Sequence, residues 1–255
     1  MNRLLRAIFP PLVPLLFVII AMELATRWNL VPPYLIASPS AIVRVMADKR
    51  HGADLMAAAW DTTRGASVGF AISTILGLII ALILSSARLI QRAFYPYAIF
   101  FQTVPIIAIA PLLVIWFGFD LKTVIVSATI ASIFPVIANT LSGLLSVDPA
   151  LLDLFKLYRA SRIAQLLKLS LPAALPQVFT GLRIAAGLSV IGAVVGEFIT
   201  GAGLGGLITV SQQQQRVDKV FAGIILASLL GLMMFLLVNL ASWITLRRWH
   251  ASEQK

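Results

Sequence analysis

Apolar residues fall in long unbroken blocks along this chain, and polar residues gather at the joints between them. Gly65–Ala87, Ala93–Phe119, Thr123–Val147 and Val220–Leu246 carry no charge. Each exceeds the roughly 20 apolar residues that a helix needs to cross a bilayer. Two further blocks carry few charges: Ala7–Thr26 has Glu23, and the Thr180–Thr200 region has Arg183 and Glu197. The pattern predicts an all-α polytopic membrane protein with about six transmembrane helices, at about 8–27, 66–86, 95–117, 123–145, 178–199 and 220–246. Residues 1–255 then form a single membrane domain. The blocks lack the period-two alternation of barrel strands, which excludes a transmembrane β-barrel.

Several polar, small or proline residues interrupt the blocks. Pro10, Pro11 and Pro14 fall in the first turns expected of helix 1, where proline costs least. Gly65, Gly69, Ser73 and Gly77 recur at four-residue spacing, which lets helices approach closely in lipid. Pro105 and Pro111 interrupt helix 3, just after Gln102 and Thr103. A proline frees backbone carbonyls that a neighbour or a lined cavity must satisfy, so this break is either a transport site or a structural kink. Asn139 in helix 4 either lines a pathway or bonds a neighbouring helix. Glu197 is either a rim anchor or part of a pathway or gate. Between helices 1 and 2, Ser38-Pro39-Ser40 offers an N-cap for a helix from Ala41. Segment 28–63 reads as one or two amphipathic helices, serving as an interfacial binding surface or as a packed cap.

One joint is larger than a connection requires. Leu151, Leu154, Phe155 and Tyr158 share a helical face, with Asp153 and Lys156 elsewhere on the helix. Ser161 can cap a second helix in which Arg162, Gln165 and Lys168 oppose Ile163, Leu166 and Leu167. Pro172 and Pro176 are expected to end this second helix before helix 5 begins. The segment 151–172 is therefore a basic helical hairpin between helices 4 and 5.

Composition and charge sharpen this picture. Hydrophobic residues make up 60% of the chain and charged residues 12%, far from soluble averages. The net charge of +10 raises nucleic acid as a partner, but no basic soluble module is present to bind it. With the N-terminus inside, twelve of the twenty basic residues lie on the cytoplasmic side: Arg3, Arg6, Arg88, Arg92, Lys156, Arg159, Arg162, Lys168, Arg183, Arg247, Arg248 and Lys255. Both termini and the hairpin are then cytoplasmic by the positive-inside rule. The first block has no small-residue cleavage site before Arg27, so it is expected to be retained rather than removed as a signal peptide. The absence of cysteine rules out disulfides and thiolate metal sites.

Three letter-motifs bear on enzymatic function. Gly201 to Gly206 matches GxGxxG, but it follows a membrane helix rather than a strand, so the glycines are read as a tight re-entrant turn. Ser67 sits in GxSxG without the strand-to-helix elbow that motif needs. No P-loop is present, and His51 and His250 lie outside the spans. The chain is read as a non-enzyme with no cofactor of its own. An ion-coupled secondary carrier or channel is the alternative to an ATP-driven system, but carriers usually need intramembrane acids, and only Glu23 and Glu197 come near.

The hairpin resembles the cytoplasmic loop of permease subunits of ATP-binding-cassette importers. That loop reads Glu-Ala-Ala, three residues, Gly, then nine or so residues to Ile-x-Leu-Pro. Counted back from Leu171-Pro172, Asp153 takes the acidic position, Leu154 and Phe155 the alanines, Arg159 the glycine and Leu169 the isoleucine. Ala160-Ser161-Arg162 matches the usual continuation. Thr62-Thr63-Arg64 before Gly69-Phe70, Trp116-Phe117-Gly118, Phe134-Pro135, Asn139-Thr140, Val147-Asp148-Pro149 and Gly181-Leu182-Arg183 resemble the nitrate/sulfonate/taurine/bicarbonate branch, over about residues 35–245. Members of that branch also carry vitamin precursors such as pyrimidines and riboflavin.

The resemblance implies a bacterial inner-membrane, type I importer-like fold. It implies a second permease copy, two cytoplasmic ATPase subunits that use ATP and Mg, an extracytoplasmic substrate-binding protein and surrounding lipid. It places ATPase coupling at Asp153, Lys156, Tyr158, Arg159, Ala160, Ser161, Arg162 and Pro172, and the pathway at Gln102, Thr103, Pro105, Asn139 and Glu197. Glycine at 159 would give a tight, left-handed turn; arginine is expected to shift or loosen it, or to pair with an acid on the ATPase.

Overall fold

The computed structural model describes residues 2–32 and 34–247. Pro33, Arg248, His250 and Lys255 lie outside the described residues, and with them the expected cytoplasmic C-terminal tail. Everything regular among the described residues is helical.

Helix α1 (Asn2–Arg27) covers the first expected span. It begins at Asn2, so Pro10, Pro11 and Pro14 lie inside the helix rather than in its first turns. Its side chains from Val13 to Ile20 face outward, as a lipid-facing helix requires. Glu23 ties α1 to the next element: its carboxylate accepts from Ser40 N at 3.0 Å and pairs with Arg27 at 2.8 Å. Ser38 caps α2 (Pro39–Ala47) by accepting from Ala41 N at 3.2 Å. Asp48 then caps α3 (Lys49–Ser86). With α2 a separate element before it, the latter part of the amphipathic segment, from Lys49, and the second span are thus one 38-residue helix. Its polar first turns project beyond the apolar stretch.

The third block is broken. Helices α4 (Arg88–Thr103) and α5 (Ile106–Phe117) meet at Val104-Pro105 and bend by 95°. Pro111 sits inside α5 without ending it, and Pro96 likewise inside α4. Helix α6 (Leu121–Leu145) follows, capped by Asp120. After α7 (Pro149–Leu157) and α8 (Arg162–Gln165), a π-helical turn over Leu166–Ser170 runs directly into α9 (Leu171–Thr200). The expected stop at Pro172 and Pro176 is therefore replaced by a continuous helix. Pro172 has no N–H to bond the residue 168 carbonyl, and its ring would crowd that carbonyl in a regular helix. The wider turn, with Leu171 N bonded to Leu166 O, relieves the clash. Helices α10 (Gly203–Gln213) and α11 (Val217–Leu246) complete the chain.

Among the described residues, α3, α6, the α8–α9 run and α11 are long and apolar enough to cross a membrane, and α4 with α5 qualify as one broken span. Helices α6 and α9 form the centre. The small-residue stripe of α3 packs against α6 in parallel register. Gly65 faces Val124, Gly69 faces Ala128, and Gly77 faces Val136, so close that a Cβ at any of these glycines would clash. The Ser73 and Ser132 hydroxyls meet at 2.8 Å in the same series. Helix α9 packs antiparallel on the other side of α6, with Gly196 and Gly192 against residues 124–131 and Gly181 against Pro135 and Asn139. Helix α11 closes the core through Met234 and Val238. Arg183, placed on the cytoplasmic side by the charge pattern, crosses from α9 to donate to the buried Ser242 of α11 at 2.7 Å.

Candidate functional site

The break at Pro105 opens a cavity of about 570 Å³ between α4, α5, α6 and α9. Gln102, Thr103, Pro105 and Asn139, read separately from the sequence, all line it. The end of α4 and the start of α5 leave backbone carbonyls and N–H groups without intrahelical partners at this wall. Thr103 turns its hydroxyl back to Phe100 O at 2.8 Å. Asn139 Nδ2 donates to Pro135 O at 2.9 Å. That carbonyl can only accept, so the bond identifies the amide nitrogen and leaves Oδ1 as an acceptor. Phe101 and Phe134 supply aromatic surface, and Tyr95 stacks on Phe134 with ring centroids 6.5 Å apart. Among the described residues, no charged side chain lines the cavity.

Glu197 does not join this group. It is buried at the opposite end of α9's packing on α6, where the chain turns from α9 into α10. Its carboxylate accepts from Thr62 Oγ1 and from Gly205 N, each at 2.9 Å. Thr62 Oγ1 in turn accepts from Leu204 N at 2.9 Å. The acid thus satisfies amides in the first turn of α10, where the helix dipole favours negative charge. This explains the glycine run. Gly201 ends α9 in the left-handed conformation, Gly203 also has positive φ, and a Cβ on Gly203 would collide with the Glu197 carboxylate. The residue that sequence reasoning missed is Thr62 as the partner of Glu197; the glycine run after the lone acid signals the turn but not this partner, which lies 135 positions away.

The hairpin stands at the end of the bundle where α3 and α6 finish. Asp148 caps α7 through Ala150 N at 2.8 Å. Helix α7 ends with Ala160 N bonded to Phe155 O and Arg159 N to Lys156 O, each at 2.9 Å. That is a Schellman closure, which requires a left-handed residue at position 159. Arg159 supplies it with φ of 52°. The turn has therefore neither shifted nor loosened. Ser161 caps α8 through Ala164 N at 3.2 Å. Asp153 and Lys156 pair with each other at 2.8 Å and are exposed. Of the expected apolar face, Leu151, Leu154 and Tyr158 are exposed, with Tyr158 at 80% and the neighbouring Leu157 also at 80%. Arg162 lines a second cavity, of about 460 Å³, with Ser85, Ser86, Gln165 and Ser170. This places the hairpin's second helix beside the ends of α3 and α6.

Comparison with known proteins identifies the family. The model of the family described as "Binding-protein-dependent transport system inner membrane component" matches residues 73–242. The chain belongs to this family. It is 36% identical over 209 residues to a Haemophilus influenzae protein named "Probable ABC transporter permease protein", covering 82% of this chain and 84% of that one. It is 35% identical over 239 residues to the formylaminopyrimidine transport permease protein ThiX of Halalkalibacterium halodurans, covering 92% and 93%. The bicarbonate transport system permease protein CmpB of Synechococcus elongatus is 29% identical over 71% of this chain and 64% of its own. In fold, the chain resembles the inward-facing MetNI methionine ABC transporter, with a TM-score of 0.65 at 18% identity, covering 79% of this chain and 98% of that one. The protein is thus a multi-pass ABC transporter permease subunit and not itself an ATPase.

Proposed function

We propose that this permease pairs with a second copy of itself and forms the translocation pathway of an ATP-driven importer in the bacterial inner membrane. Six spans, with both termini and the hairpin in the cytoplasm, fit the charge bias. The observation that carries the reading is the cavity at the Pro105 break, where four of the five expected pathway residues meet. A broken helix at membrane depth is tolerated where it lines a protein cavity, and it places polar backbone in the path of a solute. Two ATPase subunits dock on the exposed faces of α7 and α8. An extracytoplasmic binding protein delivers the substrate, a small anion of the nitrate, sulfonate, taurine or bicarbonate kind or a vitamin precursor such as a pyrimidine or riboflavin.

The continuous α8–α9 helix supports the coupling step. Movement of α8 by an ATPase is carried along one rigid element into the cavity wall, because Ile184 and Leu188 of α9 line it. Co-purification with candidate ATPase subunits tests this reading. Asp153→Ala and Arg162→Ala should each weaken capture of the ATPase while leaving the permease folded. Transport by the chain alone in liposomes, driven by an ion gradient, would sink the proposal.

A further inference from the structure

We infer that the cavity beneath the hairpin, where α8 meets the ends of α3 and α6, holds the headgroup of an anionic phospholipid, a phosphodiester that carries free hydroxyls. The inference rests on the importer reading only for its topology, which sets the hairpin at the inner leaflet.

Arg162 lines this cavity of about 460 Å³. Lys168 follows in the π-helical turn, two residues before Ser170, which also lines it. Arg88 and Arg92 open α4, directly after the end of α3 that supplies Ser85 and Ser86. All of these cations are exposed, and among the described residues none pairs with an acid. The stretches that carry them, 65–103 and 159–171, contain no Asp or Glu. The acids nearest in sequence are already engaged, Asp148 by Ala150 N and Asp153 by Lys156. A basic cluster between helices at the membrane surface draws an anionic headgroup. The arginine fork matches phosphate oxygens in pairs.

The polar lining divides into donors and acceptors. The Gln165 amide and the Ser170 hydroxyl make no hydrogen bond to another described side chain or backbone group, and both can donate to the same phosphate. Ser85 and Ser86 differ. Their hydroxyls donate to Leu82 O and Ile83 O of their own helix, which leaves lone pairs to accept. The last carbonyls of α3 also lack intrahelical partners. A glycerol phosphodiester serves both halves, with an anion for the cations and hydroxyls for the acceptors. A headgroup ending in ammonium would instead bring positive charge into a basic cluster.

The apolar surroundings select a lipid over a free phosphate. Leu82, Leu144, Ile163 and Leu166 complete the lining. On the last turns of α3, Ile79 and Ile83 are exposed one turn apart, and Leu89 is exposed just beyond. An acyl chain covers such a wall, and a soluble phosphate does not. Helix α7, with its exposed Leu157 and the adjoining Tyr158, stays available to the ATPase. A headgroup held in the cavity bridges α8 to the end of α3 and so steadies the hairpin against the bundle.

The test uses the full-length permease purified without its ATPase, with phosphatidylglycerol, phosphatidylethanolamine or sn-glycerol 3-phosphate added as probe and retention read by native mass spectrometry. Wild type should retain phosphatidylglycerol about tenfold more tightly than phosphatidylethanolamine. Arg162→Gln should weaken that retention by about tenfold, and Arg162→Lys by less, because the charge stays while the fork is lost. Lys122→Gln, at the opposite end of α6, should leave it unchanged. Equal retention of the two lipids overturns the headgroup assignment. Equal retention by wild type and Arg162→Gln overturns the site. Glycerol 3-phosphate bound as tightly as the lipid overturns the lipid source. The importer reading is checked separately, by capture of the ATPase, so either can fail without the other.

Discussion

Thr62 donates a 2.9 Å hydrogen bond to Glu197 across 135 positions of sequence, with both side chains buried. The pair joins α3 to α9, and through Leu204 N and Gly205 N it also fixes the start of α10. Removing the carboxylate leaves buried donors without partners, a loss of about 1–3 kcal/mol per group. Glu197→Ala is therefore expected to lower the thermal midpoint in detergent strongly, and Thr62→Val to do so less. Gly203→Ala should be at least as damaging as Thr62→Val, since its Cβ meets the carboxylate and its backbone is left-handed. Thermal scans of the three variants check the ranking. A Glu197→Ala protein as stable as wild type would refute the structural role.

Close packing of α9 on α6 sets a second expectation. A Cβ at Gly181 would stand within 2.8 Å of Asn139 Cβ and 2.7 Å of Pro135 O. Gly187, on the same helix, has open space at the same position. Gly181→Val should cost about 1–3 kcal/mol by overpacking, and Gly187→Val should be nearly neutral. Comparing folded yield and thermal midpoint of the two variants separates packing from helix propensity.

Arg159 occupies a left-handed turn that glycine adopts without penalty. A non-glycine residue there costs about 1–2 kcal/mol. Arg159→Gly should stabilise the hairpin locally, seen as slower amide exchange at Ala160, whose N–H closes the turn on Phe155 O. If the arginine also contacts an acid on the ATPase, the same variant weakens capture while slowing exchange, so the two measurements together divide its roles.

Asp48 gives a pH expectation at the start of α3. Its carboxyl is held below the ordinary aspartate range, first by the backbone N–H of His51 and then by that of Arg50, with the His51 side chain adding to the effect. A depressed pKa means the cap is at full strength above the ordinary aspartate value, near 3.9. It is lost as pH falls through the lower, folded value. Amide exchange at Arg50 and His51 should therefore accelerate only in strongly acid solution. Asp48→Asn, which still caps, should abolish the pH dependence without freeing the helix end.

The sequence made some of this legible and hid the rest for identifiable reasons. Spans and caps were readable because they follow from apolar run length and from single residues such as Ser38 and Ser161, whose local bonds appear as expected. The small-residue stripe on α3 was readable as a packing face, but its partner was not, because pairing with α6 depends on topology. The continuity of α8 with α9 was missed since proline rules assume a regular helix, and a π turn evades them. Residue propensity alone disfavours arginine in the left-handed turn at 159, whereas two backbone bonds hold it there. Glu197 reads from the sequence as either a rim anchor or part of a pathway or gate, and what the sequence hides is its bonding network, because Thr62 lies 135 positions away and the first turn of α10 meets it only in the fold.

The last prediction concerns the break itself. Val104 and Pro105 separate α4 from α5 at 95°, and Pro105 occupies the N-cap position of α5. Proline there disfavours helical backbone at Val104, so the chain turns rather than continues. Pro111 lies within α5 and sets no comparable bend. Pro105→Ala restores an N–H and permits α4 to extend into α5, which would straighten the wall and withdraw Gln102 and Thr103 from the cavity. In assembled proteoliposomes, Pro105→Ala should retain ATP hydrolysis yet lose about tenfold in substrate uptake, and Pro111→Ala should lose little. Equal effects of the two substitutions would mean that the bend is a packing feature alone. A selective loss at Pro105 ties the broken helix to passage of the solute, because Pro105 lies at the bend and lines the cavity and Pro111 does neither.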